Sequence, residues 1–295
     1  MGANNKNLRY WLEAMRPKTL TASLSPVLLG CALAYREAAF RPVPALLCLL
    51  VALLAQIASN FANDYFDFRH GADTADRLGP ARAVACGRIT PPAMLAATFV
   101  TLGLACLCGL GILCYAGWWL LPVGIAVALC VPAYSAGPFP LAYKGLGDVC
   151  VLLFYGIVPV CFTYYVQVLS FSLLSFWLSL SAGLLSVNIL IVNNYRDYEQ
   201  DKVAGKRTSI VCFGRRFGRI LYLANGVLAI VFSLPLLLKA TLWMGLLYLA
   251  FFVLFLTTWR ELIRLQGAAL NQTLGRTARN VFLYTLLLIL SLLLY

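Results

Sequence analysis

Apolar residues in this chain come in runs rather than alternating. Nine can be drawn, at Leu20–Tyr35, Val43–Asn60, Met94–Ala116, Trp118–Tyr134, Val149–Leu169, Phe171–Val192, Ile220–Leu238, Thr241–Thr258 and Val281–Tyr295. Several approach the ~20 residues that a helix needs to cross a bilayer. The pattern predicts an all-α integral membrane protein of about nine transmembrane helices, formed by one domain over residues 1–295. Ahead of the first run, Leu8, Trp11, Leu12 and Met15 share one helical face, which suits a segment lying in the membrane interface.

Composition agrees. The chain is 62% hydrophobic with a mean hydropathy of +0.84, well above the roughly 45–50% apolar content of soluble domains. Basic residues fix the orientation, because Lys and Arg accumulate in cytoplasmic loops. With the N-terminus inside, twenty fall on one face and only Arg36, Arg41 and Lys239 on the other. Trp118, Trp119, Trp177 and Trp243 then sit at the outer boundary, as an aromatic belt would. This predicts a multi-pass protein of the cell inner membrane. The net charge of +12 follows from that topology and from attraction to anionic lipid; no nucleic acid is called for. The ten cysteines lie mostly inside apolar runs, form no C-x-x-C pair and read as small buried residues. The N-terminal segment lacks a signal-peptide pattern.

The polar residues gather in the inner connections, and so should the chemistry. Four of the 11 acidic residues fall between Asp64 and Asp76, in a first acidic stretch spanning 60–88. A second stretch spans 193–219. Asn63-Asp64-Tyr65-Phe66-Asp67 matches Asn193-Asn194-Tyr195-Arg196-Asp197 at three of five positions. The two copies end the second and sixth runs, so both lie on the same side of the membrane. This predicts two similar halves, a parallel duplication. Between them, Tyr134 to Asp148 carries Pro138, Pro140, Lys144 and Asp148.

On a helix, residues i, i+4 and i+8 share a face. Asn193, Asp197 and Asp201 are spaced in this way, and Asn63 with Asp67 repeats the first two members. Two such stripes facing each other would repel unless cations neutralise them. Their all-oxygen character suits Mg²⁺, which is held by a few carboxylates and shares phosphate oxygens. Neighbouring Arg and Lys would bind a polyanion. A diphosphate with a long apolar tail fits this combination of polar mouth and apolar interior. Mg²⁺ and basic side chains would stabilise its departure, leaving an allylic cation for an electron-rich acceptor. A transporter with broken helices is the alternative of another class. It is disfavoured because the outer half offers almost no ionisable residues to line a path.

These residues resemble the UbiA superfamily of intramembrane aromatic prenyltransferases, whose signature is a pair of N-x-x-x-D-x-x-x-D motifs. The second motif matches in full. The first has Gly71 in place of its third member, with Asp73 two residues on and Asp64 one turn before Asp67. That departure, followed by Arg77-Leu-Gly79-Pro80-Ala-Arg82, looks like the branch that prenylates 1,4-dihydroxy-2-naphthoate. Met15-Arg16-Pro17-Lys18-Thr19-Leu20, Gly145-Leu146-Gly147-Asp148 and Gly205-Lys206-Arg207-Thr208 agree with it. The resemblance implies helices around a central cavity that opens to the cytoplasm. It also implies transfer of a polyprenyl chain from polyprenyl diphosphate to 1,4-dihydroxy-2-naphthoate with decarboxylation, giving demethylmenaquinone. A 4-hydroxybenzoate prenyltransferase is the runner-up. Carried onto this chain, Asp64, Asp67, Asp197 and Asp201 hold Mg²⁺ and are catalytic. Asn63, Asp73, Arg77, Arg82, Lys144, Asn193 and Lys206 bind the two substrates. His70, the single histidine, receives no role.

Overall fold

The computed structural model describes residues 3–71 and 78–294, and its regular elements among these are all helical. In chain order they are α1 (Ala3–Met15), α2 (Pro17–Arg36), α3 (Pro42–Arg69), α4 (Pro91–Ala116), α5 (Leu121–Ala133) and α6 (Gly147–Val168). After these come α7 (Leu173–Arg196), α8 (Tyr198–Val203), α9 (Ser209–Phe232), α10 (Leu242–Arg264) and α11 (Leu270–Leu294).

Local chemistry starts and stops them. Pro17, Pro42 and Pro91 open α2, α3 and α4, where the fixed φ suits the first turn and the missing N–H costs nothing. Thr208 and Thr241 cap α9 and α10 by accepting the N–H of Val211 and Met244. Gly71 follows the end of α3 with φ +69°, a left-handed closure that only glycine adopts without strain.

Each expected apolar run is carried mainly by one helix; several helices outrun their runs, while the run expected to Leu238 passes the end of α9 at Phe232 and the run expected from Phe171 begins before α7. α3 continues to Arg69 and so carries the first motif on an unbroken helix. The last run was expected at Val281; its helix begins at Leu270. The run expected from Ile220 belongs to a helix that starts at Ser209 and bends at Gly214. Among the described residues, six helices are long and apolar enough to cross a membrane, and the segment Trp118–Ala133 is a shorter apolar helix. α2 and α9 have spanning length with more polar sequences. The expected stripe Asn193, Asp197, Asp201 is interrupted, because α7 ends at Arg196 and α8 starts after Asp197. The i→i+4 bonds from Asp197 N–H to the Asn193 carbonyl and from Asp201 N–H to the Asp197 carbonyl persist across the break.

α7 is the central pillar, packed on α6, α9 and α11, while α2 joins the halves by touching α3, α6 and α11. α6 passes through a π-helical stretch at Leu153–Phe162 around Pro159, whose ring cannot donate to the helix ladder. There α6 crosses α7 at backbone contact: a Cβ on Gly156 would lie 2.6 Å from the Gly183 Cα. In the second half, Leu178, Leu185, Ile191, Tyr222, Phe255 and Tyr284 form one continuous core.

Candidate active site

α2 to α6, with one face of α7, enclose a cavity of about 960 Å³. Along α3 it is lined from Cys48 to Asp67, about 28 Å at 1.5 Å per residue. Its walls are apolar over most of that length, with Val51, Ala52, Leu113, Val127, Phe154 and Val158 among them. Its polar residues concentrate toward one end of α3, where Gln56, Asn60, Asn63 and Asp67 recur at helical spacing on the cavity face.

At that end the first motif is buried and engaged. Both oxygens of Asp64 accept backbone N–H groups of the following loop, from Ala83 at 3.1 Å and Val84 at 3.2 Å. Asp67 accepts from Arg82 at 3.3 Å and from the Tyr143 hydroxyl at 2.9 Å. Asn63 accepts from the Ser135 hydroxyl. One turn deeper, Asn60 donates to the Met15 carbonyl at 2.8 Å and accepts from Gln56, which in turn accepts from the Tyr155 hydroxyl.

The second motif is organised by Arg196. Its guanidinium donates twice to Asp197 at 2.6 Å, once to Asn193 at 2.9 Å and once to Asn271 at 2.7 Å. A planar fork can meet a carboxylate bidentately while its remaining N–H groups reach other acceptors. Asn193, Asn194 and Arg196 line the cavity, so on this side a cation fronts the wall, with the buried carboxylates of Asp197 and Asp201 beside it.

The connection between the halves supplies Tyr143. Its hydroxyl reaches Asp67, its carbonyl accepts the Arg207 N–H at 3.1 Å, and the Lys206 ammonium lies 5.2 Å from its ring centre. Tyr143 therefore joins the first motif to the loop after the second. His70 is exposed and tilted against the same ring.

Of the residues expected to form the site, Asn63, Asp64, Asp67, Arg82, Asn193 and Lys206 line this one cavity. Asp197, Asp201 and Lys144 do not: Asp197 and Asp201 are buried beside the lining, Asp197 paired with Arg196, and Lys144 is exposed, with its ammonium 5.3 Å from the Phe139 ring centre. Asp73 and Arg77 lie outside the described residues. Sequence reasoning left Tyr143, Arg196 and Asn271 without roles. Arg196 could have been found from its place inside the motif; nothing local marks Asn271.

The donor set fits Mg²⁺ in character, being all carboxylate and amide oxygen. Among the described residues, no three His, Cys, Asp or Glu side chains stand close enough to cage an ion.

Residues 23–286 match the UbiA prenyltransferase family. The 1,4-dihydroxy-2-naphthoate octaprenyltransferase of Escherichia coli is 35% identical over 294 residues, covering 95% of this chain and 94% of that protein. The enzyme of the same name from Mycobacterium tuberculosis is 36% identical over 237 residues, 79% of each chain. In fold, the chain is similar to a UbiA homolog from Archaeoglobus fulgidus solved with DMAPP and Mg²⁺. The TM-score is 0.65 over 95% of this chain and 98% of that one, at 14% identity. An all-helical chain with paired Asn/Asp motifs at one end of an apolar cavity, matched over most of its length, belongs to the UbiA prenyltransferase family.

Proposed function

We propose that this protein transfers a polyprenyl chain from polyprenyl diphosphate to 1,4-dihydroxy-2-naphthoate with loss of its carboxylate, giving demethylmenaquinone. One observation carries the reading: Asn63, Asp64 and Asp67 of the first motif and Asn193 of the second, with Arg196, line the polar end of a single deep apolar cavity. The cavity takes the prenyl tail, whose burial supplies the binding energy. The motifs and their arginines take the diphosphate.

The bond from the allylic carbon to the diphosphate oxygen breaks, and the pair of electrons leaves with the diphosphate. Arg82, Arg196 and Lys206 are placed to meet that charge; Arg82 and Arg196 are 9% and 2% exposed, and a dry site strengthens their effect. Asp67, Asp197 and Asp201, with Asn63 and Asn193, would hold Mg²⁺, which neutralises charge on the departing diphosphate. Asp64, with both oxygens on the 83–84 backbone, positions the loop that presents Arg82. The ring carbon bearing the acceptor's carboxylate attacks the allylic carbon, and loss of CO₂ returns the electron pair that restores aromaticity. The bulk of the apolar walls excludes water that would otherwise capture the cation. Asp73, Arg77 and Lys144 are proposed as further contacts to the substrates. The basic inner connections support placing the cavity's polar end at the cytoplasmic face of the inner membrane.

The test is incubation of purified protein with dihydroxynaphthoate, a polyprenyl diphosphate and Mg²⁺. Prenylated, decarboxylated product that disappears with EDTA is expected; no product, or product indifferent to EDTA, overturns the reading. Offered both aromatic acids in competition, the protein should consume dihydroxynaphthoate, and preference for 4-hydroxybenzoate would reverse the choice of acceptor.

A further inference from the structure

The loop Leu78 to Val84 presents Arg82 to the cavity, and α3 holds it at two places, Asp67 on Arg82 and Asp64 on the Ala83 and Val84 N–H groups. A third hold comes from the far end of the sequence. Asn271, in the first turn of α11, donates from its amide nitrogen to the Leu78 carbonyl at 2.8 Å. Its amide oxygen accepts from Arg196 at 2.7 Å. One planar amide thus ties the loop of the first motif to the arginine that organises the second. Asparagine suits this because its short side chain donates at one atom and accepts at the other.

We propose that Asn271 is a positioning residue for the diphosphate half of the site, setting Arg82 and Arg196 in register from opposite walls. This rests on the prenyltransferase reading. The diphosphate needs cations on both sides at once, and a loop anchored to α3 alone would hold Arg82 in place without reference to Arg196. Neighbouring Leu274 reaches the cavity wall, while Asn271 touches it only through Arg196 and Leu78. The consequence is a residue that acts on the donor substrate and not on the acceptor.

Asn271→Leu removes both ends of the bridge. Asn271→Asp keeps an acceptor for Arg196 and removes the donor to Leu78. Each variant is compared with wild type for KM toward polyprenyl diphosphate and toward dihydroxynaphthoate, and for tryptic cleavage after Arg88 without substrate. Asn271→Leu should raise the diphosphate KM about tenfold, the scale of one lost hydrogen bond to a charged group, and Asn271→Asp severalfold, the scale of the neutral bond to Leu78. The acceptor KM should stay unchanged, and loop cleavage should accelerate severalfold. Wild-type KM and cleavage in both variants overturn the proposal. So does a wild-type Asn271→Asp beside an impaired Asn271→Leu, since Arg196 would then need only an acceptor. Equal rises in both KM values also overturn it, because they mark general disorder. If Asn271→Leu does not yield monodisperse protein, Asn271→Asp and Asn271→Ser carry the same comparison. If wild type makes no product, the prenyltransferase reading fails, and the cleavage comparison still decides whether the bridge holds the loop.

Discussion

The two halves carry similar short motifs, at Asn63–Asp67 and Asn193–Asp197, and differ in how they pack. In the first, α3 and α4 lean on each other and on α5 around an open cavity, and only 17% of the α4 span is buried. In the second, 67% of the α7 span is buried, the highest share among the six candidate spans. Polar groups that could have lined a site are spent on the packing there. Ser233 and Tyr284 share a hydrogen bond and both meet the Ala229 carbonyl, Asn225 donates to Asn188, and Asn280 donates to Thr258. Such bonds substitute for the missing hydrophobic drive between helices in lipid. A duplicated motif therefore does not require a duplicated site. The solid half holds its motif rigid, and the hollow half provides the room.

The sharpest test sets the two motifs against each other. Asp67→Asn and Asp197→Asn should each lower kcat/KM by about 10²- to 10³-fold, the usual cost of removing one preorganised charge-stabilising group. They should differ in stability. Arg196 grips Asp197 at two points of 2.6 Å, whereas Arg82 meets Asp67 at 3.3 Å. Breaking a buried pair costs about 3–5 kcal/mol, so Asp197→Asn should show the larger fall in melting temperature. Equal falls would mean that the two motifs are mechanically equivalent.

Next come glycines. A Cβ on Gly156 would lie 2.6 Å from the Ser179 carbonyl oxygen and the Gly183 Cα, while one on Gly109, which lines the cavity, meets nothing within 4 Å. Gly156→Ala should destabilise by about 1–3 kcal/mol, read from thermal unfolding in detergent. Gly109→Leu should change stability by no more than about 0.5 kcal/mol. It should nevertheless shift donor preference toward shorter prenyl chains on the order of tenfold, measured by competing donors of two lengths. The reverse pattern would place the hollow in the wrong half.

Tyr143→Phe deletes the hydroxyl on Asp67 and should raise the diphosphate KM about tenfold, with the melting temperature little changed. The smallest effect belongs to Lys144. Exposed and turned onto Phe139, it should tolerate Lys144→Ala within about twofold in turnover, since exposed charges contribute little. Lys206→Ala, at the cavity wall, should raise KM several times more. A larger loss at Lys144 than at Lys206 would return Lys144 to the site.

Much of this was legible in the chain. Runs near the length of a bilayer announce their helices, because apolar length is a local property. Asn63, Asp67 and Asn193 could be paired by spacing and by the parity of the intervening runs. Boundaries were less legible, since polar turns such as Asn63 to Arg69 and Leu270 to Asn280 continue a helix that the hydrophobic run alone would end. The break at Asp197 was hidden because helical spacing looks the same whether or not the helix is continuous. Tyr143 and Asn271 were invisible as partners, since their importance lies in contacts 76 and 75 residues away in sequence.

The sequence by itself determined the class of protein, the helices and the paired Asn/Asp motifs, because each follows from residue type over a short window. Only the tertiary structure decided which half would be hollow, that Arg196 rather than Asp197 fronts the cavity, and that α11 reaches back to the first motif. Those outcomes depend on how side-chain volumes meet at helix crossings. Gly156 on Gly183 draws two helices to backbone contact, and Gly109 faces open space. Nothing within one segment specifies what will stand opposite it.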